Sequence, residues 1–134
     1  MLNIRDHMSR LTQSLIPQLG LADALDRLHD AGLSGLPVLD PQQRLIGFLS
    51  EQDCIPSLLT GSYHCDTRTR VEDLMNRTPL SVSPDDSILE LARQMTQSRP
   101  RVYPVLEGNR VIGIISRRQV MQALNAQMKA CLPT

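Results

Sequence analysis

LSGLPVLDPQQRLIGFLSEQDCI, residues 33–55, returns with small changes as RPRVYPVLEGNRVIGIISRRQV at 99–120. Pro37-Val38 maps onto Pro104-Val105 at an offset of 67, and Ile46-Gly47 onto Ile112-Gly113 at 66, one residue being lost in the intervening turn. The copy extends further back at 67: Leu15-Ile16-Pro17 onto Val82-Ser83-Pro84, Leu21 to Leu28 onto Ile88 to Met95, and Asp6-His7-Met8 onto Asp73-Leu74-Met75. A pattern copied at a fixed period marks a copied structural unit. The chain divides into repeats at 1–66 and 67–134, joined by the polar stretch Gly61 to Arg70. Units of roughly 60 residues are near the lower limit for an independent core. The two are therefore expected to form one globular module.

Composition narrows the class. With 41% hydrophobic residues, no Trp, one Phe and two Tyr among 134, the core must be built from Leu, Ile, Val and Met. No apolar run is long enough for a membrane span, and MLNIRDHMSRL lacks the apolar stretch of a secretory signal. Cys54, Cys65 and Cys131 are an odd set without metal-ligand spacing. A cytoplasmic setting is expected. Residues 1–66 carry 4 Arg and 8 Asp or Glu, a balance of −4; residues 67–134 carry 10 Arg or Lys and 6 Asp or Glu, a balance of +4. That is too scattered for a nucleic-acid footprint, but it directs anion affinity to the second repeat. His7, His29 and His64 fall in unrelated contexts and no cysteine has a histidine partner by spacing. The chain is read as a non-enzyme.

The expected elements are the same in each repeat. A short helical turn packs Met8 or Met75. An extended segment ends at Pro17 or Pro84, followed by an amphipathic helix: Leu21, Ala24, Leu25 and Leu28, stopped by Gly32, in the first copy. In the second, Ile88, Leu91, Ala92 and Met95 form the stripe, with Ser83-Pro84-Asp85-Asp86 read as the helix start and Gln97-Ser98 as its end. Leu36 to Leu39 with Leu45 to Leu49, and Val102 to Leu106 with Arg110 to Ile115, read as antiparallel hairpins. Each second strand runs into a helix through a capping box, Ser50 with Asp53 and Ser116 with Gln119. Pro56 is expected to kink or delay the first of these helices, and Tyr63 to be partly buried in the joint. Leu58-Leu59 and Met121-Leu124-Met128 are apolar stripes for a core or a partner.

Two β-α-β-β-α repeats, with PV in the middle strand and SGLPVLDPQQRLIGFLSEQD echoed by RVYPVLEGNRVIGIISRRQ, resemble a tandem pair of CBS domains, a Bateman module of the small bacterial type. The resemblance implies an α/β (α+β) fold, with the repeats packed through their sheets about a pseudo-twofold axis to leave two clefts. It further implies a regulatory sensor that binds AMP, ADP, ATP or S-adenosylmethionine and modulates a protein partner or its own homodimer. A ligand-free dimerisation or interaction module is the alternative. Carried over residue by residue, Ser50 and Ser116 meet phosphate or ribose, and Asp53 holds ribose hydroxyls. Gln119 stands where a second carboxylate would be. Gly47 and Gly113 admit close approach at the cleft floor. Leu36, Ile46, Val102 and Ile112, with Ile16 and Val82 from the preceding segments, are candidate purine walls. Arg101, Arg117 and Arg118 are candidate phosphate ligands, the last two because cations at a helix start oppose its dipole.

Overall fold

The first helix stops at its glycine: Gly32 adopts φ 66° and donates its N–H to the His29 carbonyl at 3.0 Å. The computed structural model describes residues 2–65, 67–97 and 100–132. In chain order the elements are a 3-10 turn at Ile4–Asp6, β1 (Ser9–Arg10), α1 (Leu21–Ala31), β2 (Gly35–Leu39), β3 (Leu45–Ser50), α2 (Glu51–His64), α3 (Val71–Leu74), α4 (Ile88–Gln97), β4 (Val102–Glu107), β5 (Arg110–Ser116) and α5 (Arg117–Ala130). β2 and β3 pair antiparallel, as do β4 and β5, so both hairpins are as expected. The first strand of each repeat is reduced to one residue, Leu15 bridging Val38 and Val82 bridging Val105, both in parallel sense.

Three local expectations need correction. Residues 83–86 make a turn of their own, Asp86 Oδ2 accepting from Ser83 N at 2.8 Å. α4 begins only at Ile88, where Ser87 Oγ accepts from the Leu89 and Glu90 amides. The serine is the cap, because its short side chain reaches back to those amides. α2 runs uninterrupted through Pro56; the proline forgoes one backbone bond without ending the helix. Tyr63 lies in the last turn of that helix and is 85% exposed, not partly buried. Asp66 of the joint and Ser98 of the expected helix end lie outside the described residues.

The described residues form two compact units, Leu11–Leu80 and Met1–Arg10 with Ser81–Thr134. These do not coincide with the sequence repeats. In the first, Val71 and Met75 join a core made by Leu15, Leu28, Leu36, Val38 and Leu49, and Phe48 and Asn76 exchange backbone bonds at 2.9 and 2.8 Å. In the second, Ile4 is fully buried among Ile88, Leu91, Tyr103 and Ile115, while β1 adds to β5 with Ser9 opposite Ile114. The lead-in segment of each repeat thus completes the core that holds the other repeat's hairpin. Apolar burial decides this: Ile4 and Val71 have no exposed surface where they dock.

Candidate ligand site

In both units the hairpin delivers its second strand directly into a helix. Ser50 Oγ accepts from Asp53 N at 3.3 Å and Asp53 Oδ2 accepts from Ser50 N at 3.2 Å, closing a capping box. Ser116 and Gln119 do the same at 3.3 and 2.8 Å. The helix amides are less open than an anion cradle requires. Glu51 N donates to Ser34 O at 2.8 Å and Arg117 N to Arg101 O at 2.7 Å. The third amide of each helix is taken by the cap. Only the second, on Gln52 and Arg118, is left without a described partner.

The two boxes differ in what remains. Asp53 is exposed, its Oδ1 accepts from no described residue, and the Ser50 hydroxyl proton has no described acceptor. Gln119 has no open acceptor: Oε1 accepts from both Ser116 N and Ser116 Oγ, and Nε2 gives one of its two protons to Ser9 Oγ. Ser9 was not among the expected site residues. Its signal was the repetition of the lead-in, which gave no indication of the body on which it docks.

The expected walls separate into surface and core. Ile46 and Ile112 are half-buried and occupy equivalent β-bulges, each the extra residue where the register shifts after Val38 or Val105. A bulge re-aims its side chain, which makes these two the partly open apolar candidates of the hairpins, each also packed against its own unit's core. Leu36 and Val102 are 1% and 5% exposed. They are core residues whose surface is already covered by their own unit. Ile16 is 48% exposed, whereas Val82 is buried and borders an open hollow of about 420 Å³ shared with Asp85, Asp86 and Glu90. Those acids make the hollow unfavourable for phosphate. Gly47 and Gly113 do permit a close approach, but by the chain itself. A Cβ on Gly47 would lie 2.6 Å from Met75 Sδ, and one on Gly113 would collide with Ser9 O. Arg101, Arg117 and Arg118 are brought together by the Arg117 N to Arg101 O bond, and none forms an ion pair with a described residue. No group of described His, Cys, Asp or Glu side chains could hold a metal ion, and no described helix is long and apolar enough to cross a membrane.

The CBS domain matches twice, at residues 4–59 and 71–126. The chain belongs to the CBS domain family. It is a CBS domain pair. The crystal structure of CBSX2 in complex with AMP is 28% identical, with TM-score 0.80 over 96% of this chain and 99% of that one. The CBS domain pair of protein MJ0100, in complex with 5-methylthioadenosine and S-adenosyl-L-methionine, shares the fold at 18% identity and TM-score 0.81, covering 93% and 97%. Among curated relatives, the A-adding tRNA nucleotidyltransferase of Aquifex aeolicus is 26% identical over 96% of this chain but only 15% of its own length. Two further relatives are spanned over 34% and 43% of their lengths. The chain therefore corresponds to a minor part of those larger proteins.

Proposed function

We propose that this CBS pair, its repeats 1–66 and 67–134 acting as one module, senses an adenosine-type ligand through Ser50 and Asp53. The observation that carries the proposal is the unused Oδ1 of Asp53 beside the free hydroxyl proton of Ser50. An ionised carboxylate with an open oxygen accepts ribose hydroxyl protons, and Ile46 supplies a neighbouring apolar surface. The equivalent amide in the other unit has no such capacity. Its arginines, Arg101, Arg117 and Arg118, suit an anion instead, so they are assigned to the phosphate of a ligand bound in their own unit. The resemblance to CBSX2, which was crystallised with AMP, supports this choice of ligand class. Binding shifts the balance between arrangements of the module and so acts on a protein partner or on a homodimer. The unpaired thiols of Cys54, Cys65 and Cys131 fit a reducing, cytoplasmic setting.

Calorimetric titration with AMP, ADP, ATP and S-adenosylmethionine, on protein stripped of ligand, tests the proposal. One of them is expected to bind below millimolar concentration. Asp53→Ala should weaken it at least about tenfold, the loss of a charge-assisted bond pair, and Gln119→Ala by less than about threefold. Replacing Arg117 and Arg118 together with Ala should weaken ATP more than AMP at low salt. If no adenine ligand binds, the alternative gains: an interaction module acting through its exposed helix faces.

A further inference from the structure

The same four positions carry opposite charge in the two units. Ser50-Glu51-Gln52-Asp53 opens α2 and Ser116-Arg117-Arg118-Gln119 opens α5, each closing the same capping box. Two carboxylates give the first box −2 and two guanidiniums give the second +2. A helix start attracts phosphate through its unpaired amides and the positive end of its dipole. At α2 both are largely answered from within: Glu51 N donates to Ser34 O, Asp53 N donates to Ser50 Oγ, and the two exposed carboxylates stand on the dipole. Their field reaches the next residue, since after burial it is the charges of Asp53 and Glu51 that push the Cys54 thiol up to about 11.

The arginines of the first unit, Arg27, Arg44, Arg68, Arg70 and Arg77, are directed elsewhere. Arg44 is held by Asp40 at 2.8 Å before the start of β3, about 20 Å from Ser50 at the rise of a strand. Arg27 donates to Ser14 O, and Arg77 to Glu72 O beside the acids Glu72 and Asp73. Arg68 and Arg70 flank Thr69, which shares a hollow with Ser57 and Thr60, about 10–15 Å along α2 from Ser50. These separations lie at or beyond the screening length of roughly 8–10 Å at ordinary salt. We infer that the Ser50–Asp53 site selects an adenosine whose 5′ group carries no negative charge, a thioether or a sulfonium, and disfavours 5′-phosphates. The inference rests on the nucleoside reading proposed above and adds the charge class of the ligand. Asp53 then acts twice: its open Oδ1 takes ribose hydroxyls, and with Glu51 it repels a phosphate and attracts a sulfonium.

Calorimetric titration of the full chain with 5′-methylthioadenosine, S-adenosylmethionine and AMP tests it, each ligand repeated on Asp53→Ala to assign binding to this site. At low salt, Asp53-dependent binding should be at least about tenfold tighter for the thioether than for AMP and tighter still for the sulfonium, with both gaps narrowing as salt is added. Glu51→Arg copies the residue that already occupies this position in α5, and circular-dichroism melting should show it folded. It should tighten AMP at least about tenfold, weaken S-adenosylmethionine, and leave 5′-methylthioadenosine within about threefold. Asp53-dependent binding of AMP as tight as that of the thioether, or an AMP affinity indifferent to Glu51→Arg, overturns the charge selection while the nucleoside reading stands. Failure of all three ligands to bind overturns the nucleoside reading itself, a separate and distinguishable result.

Discussion

Gln119 is held at both ends of its amide, by the start of α5 through Ser116 and by Ser9 of β1. One side chain therefore caps a helix and fastens the lead-in strand. Removing it leaves the N–H and hydroxyl of the Ser116 cap and the Ser9 hydroxyl to water, and Gln119→Ala should cost about 1–2 kcal/mol in urea unfolding. Ser9→Ala should cost less, about 0.5–1 kcal/mol, and the double variant should fall short of the sum because the two share one bond. Asp53 lacks such a tie, so Asp53→Ala should show mainly the loss of its cap. Next to it, the Cys54 thiol is pushed up from 9.0 to about 11, first by burial and then by the charges of Asp53 and Glu51. The folded chain therefore keeps that proton to higher pH than the unfolded chain does. The stabilisation is complete below the ordinary thiol range and is lost as pH rises from 9.0 towards about 11. The gap in melting temperature between the native chain and Cys54→Ala should narrow across that window, as differential scanning calorimetry at matched ionic strength would show. At pH 8 an alkylating reagent should modify exposed Cys65 and Cys131 in the native protein and spare Cys54.

At the scale of elements, the hairpins, the helices after them and both capping boxes were legible because each is written in adjacent residues: a turn, a serine, an acid or amide three positions on. Failures arose where two local signals competed. Ser83-Pro84-Asp85-Asp86 has the residues of a helix start, but Ser87 lies closer to the stripe and takes the amides. Pro56 reads as a breaker, yet α2 accommodates it because much of that helix faces outward, where few packing contacts depend on ideal geometry. The glycines of β3 and β5 were noted as sites of close approach, and the approaching groups are the lead-in segments. They differ in kind, which gives a prediction. A methyl on Gly47 meets Met75 Sδ, the flexible end of a side chain, whereas one on Gly113 meets the Ser9 carbonyl of a paired strand. Met75 can swing aside, so Gly47→Ala should cost about 1 kcal/mol. β1 cannot move without losing its bonds to β5, so Gly113→Ala should cost about 3 kcal/mol. Chemical denaturation of both variants checks the order; equal costs would mean that β1 yields as readily as a methionine side chain.

For the whole chain, duplication was plain in the sequence and the exchange of lead-in segments was not. Asp6-His7-Met8 and Asp73-Leu74-Met75 stand at the same offset whichever body they join, so periodicity cannot distinguish a repeat that closes on itself from one completed by its twin. The candidate ligand residues were legible only in part for a related reason: Ser50, Asp53 and Gln119 are local, but Gln119's engagement by Ser9 spans 110 residues. The exchange makes a prediction about where the chain can be cut. A fragment of residues 1–66 follows the sequence repeat but lacks Val71 and Met75, both part of the first unit's core, and lacks Asn76, which pairs with Phe48. A fragment of residues 11–80 keeps all of them. Loss of a buried Val and Met opens cavities worth several kcal/mol, about the whole stability of so small a core. The 11–80 fragment should therefore melt cooperatively by far-ultraviolet circular dichroism, at a temperature well above any transition of 1–66. Adding a synthetic peptide of residues 70–80 to the 1–66 fragment should restore helical signal, although that fragment already carries its own lead-in, residues 2–12. A 1–66 fragment that melts cooperatively by itself, with no gain from the peptide, would mean that each repeat closes on its own lead-in and would overturn the exchange.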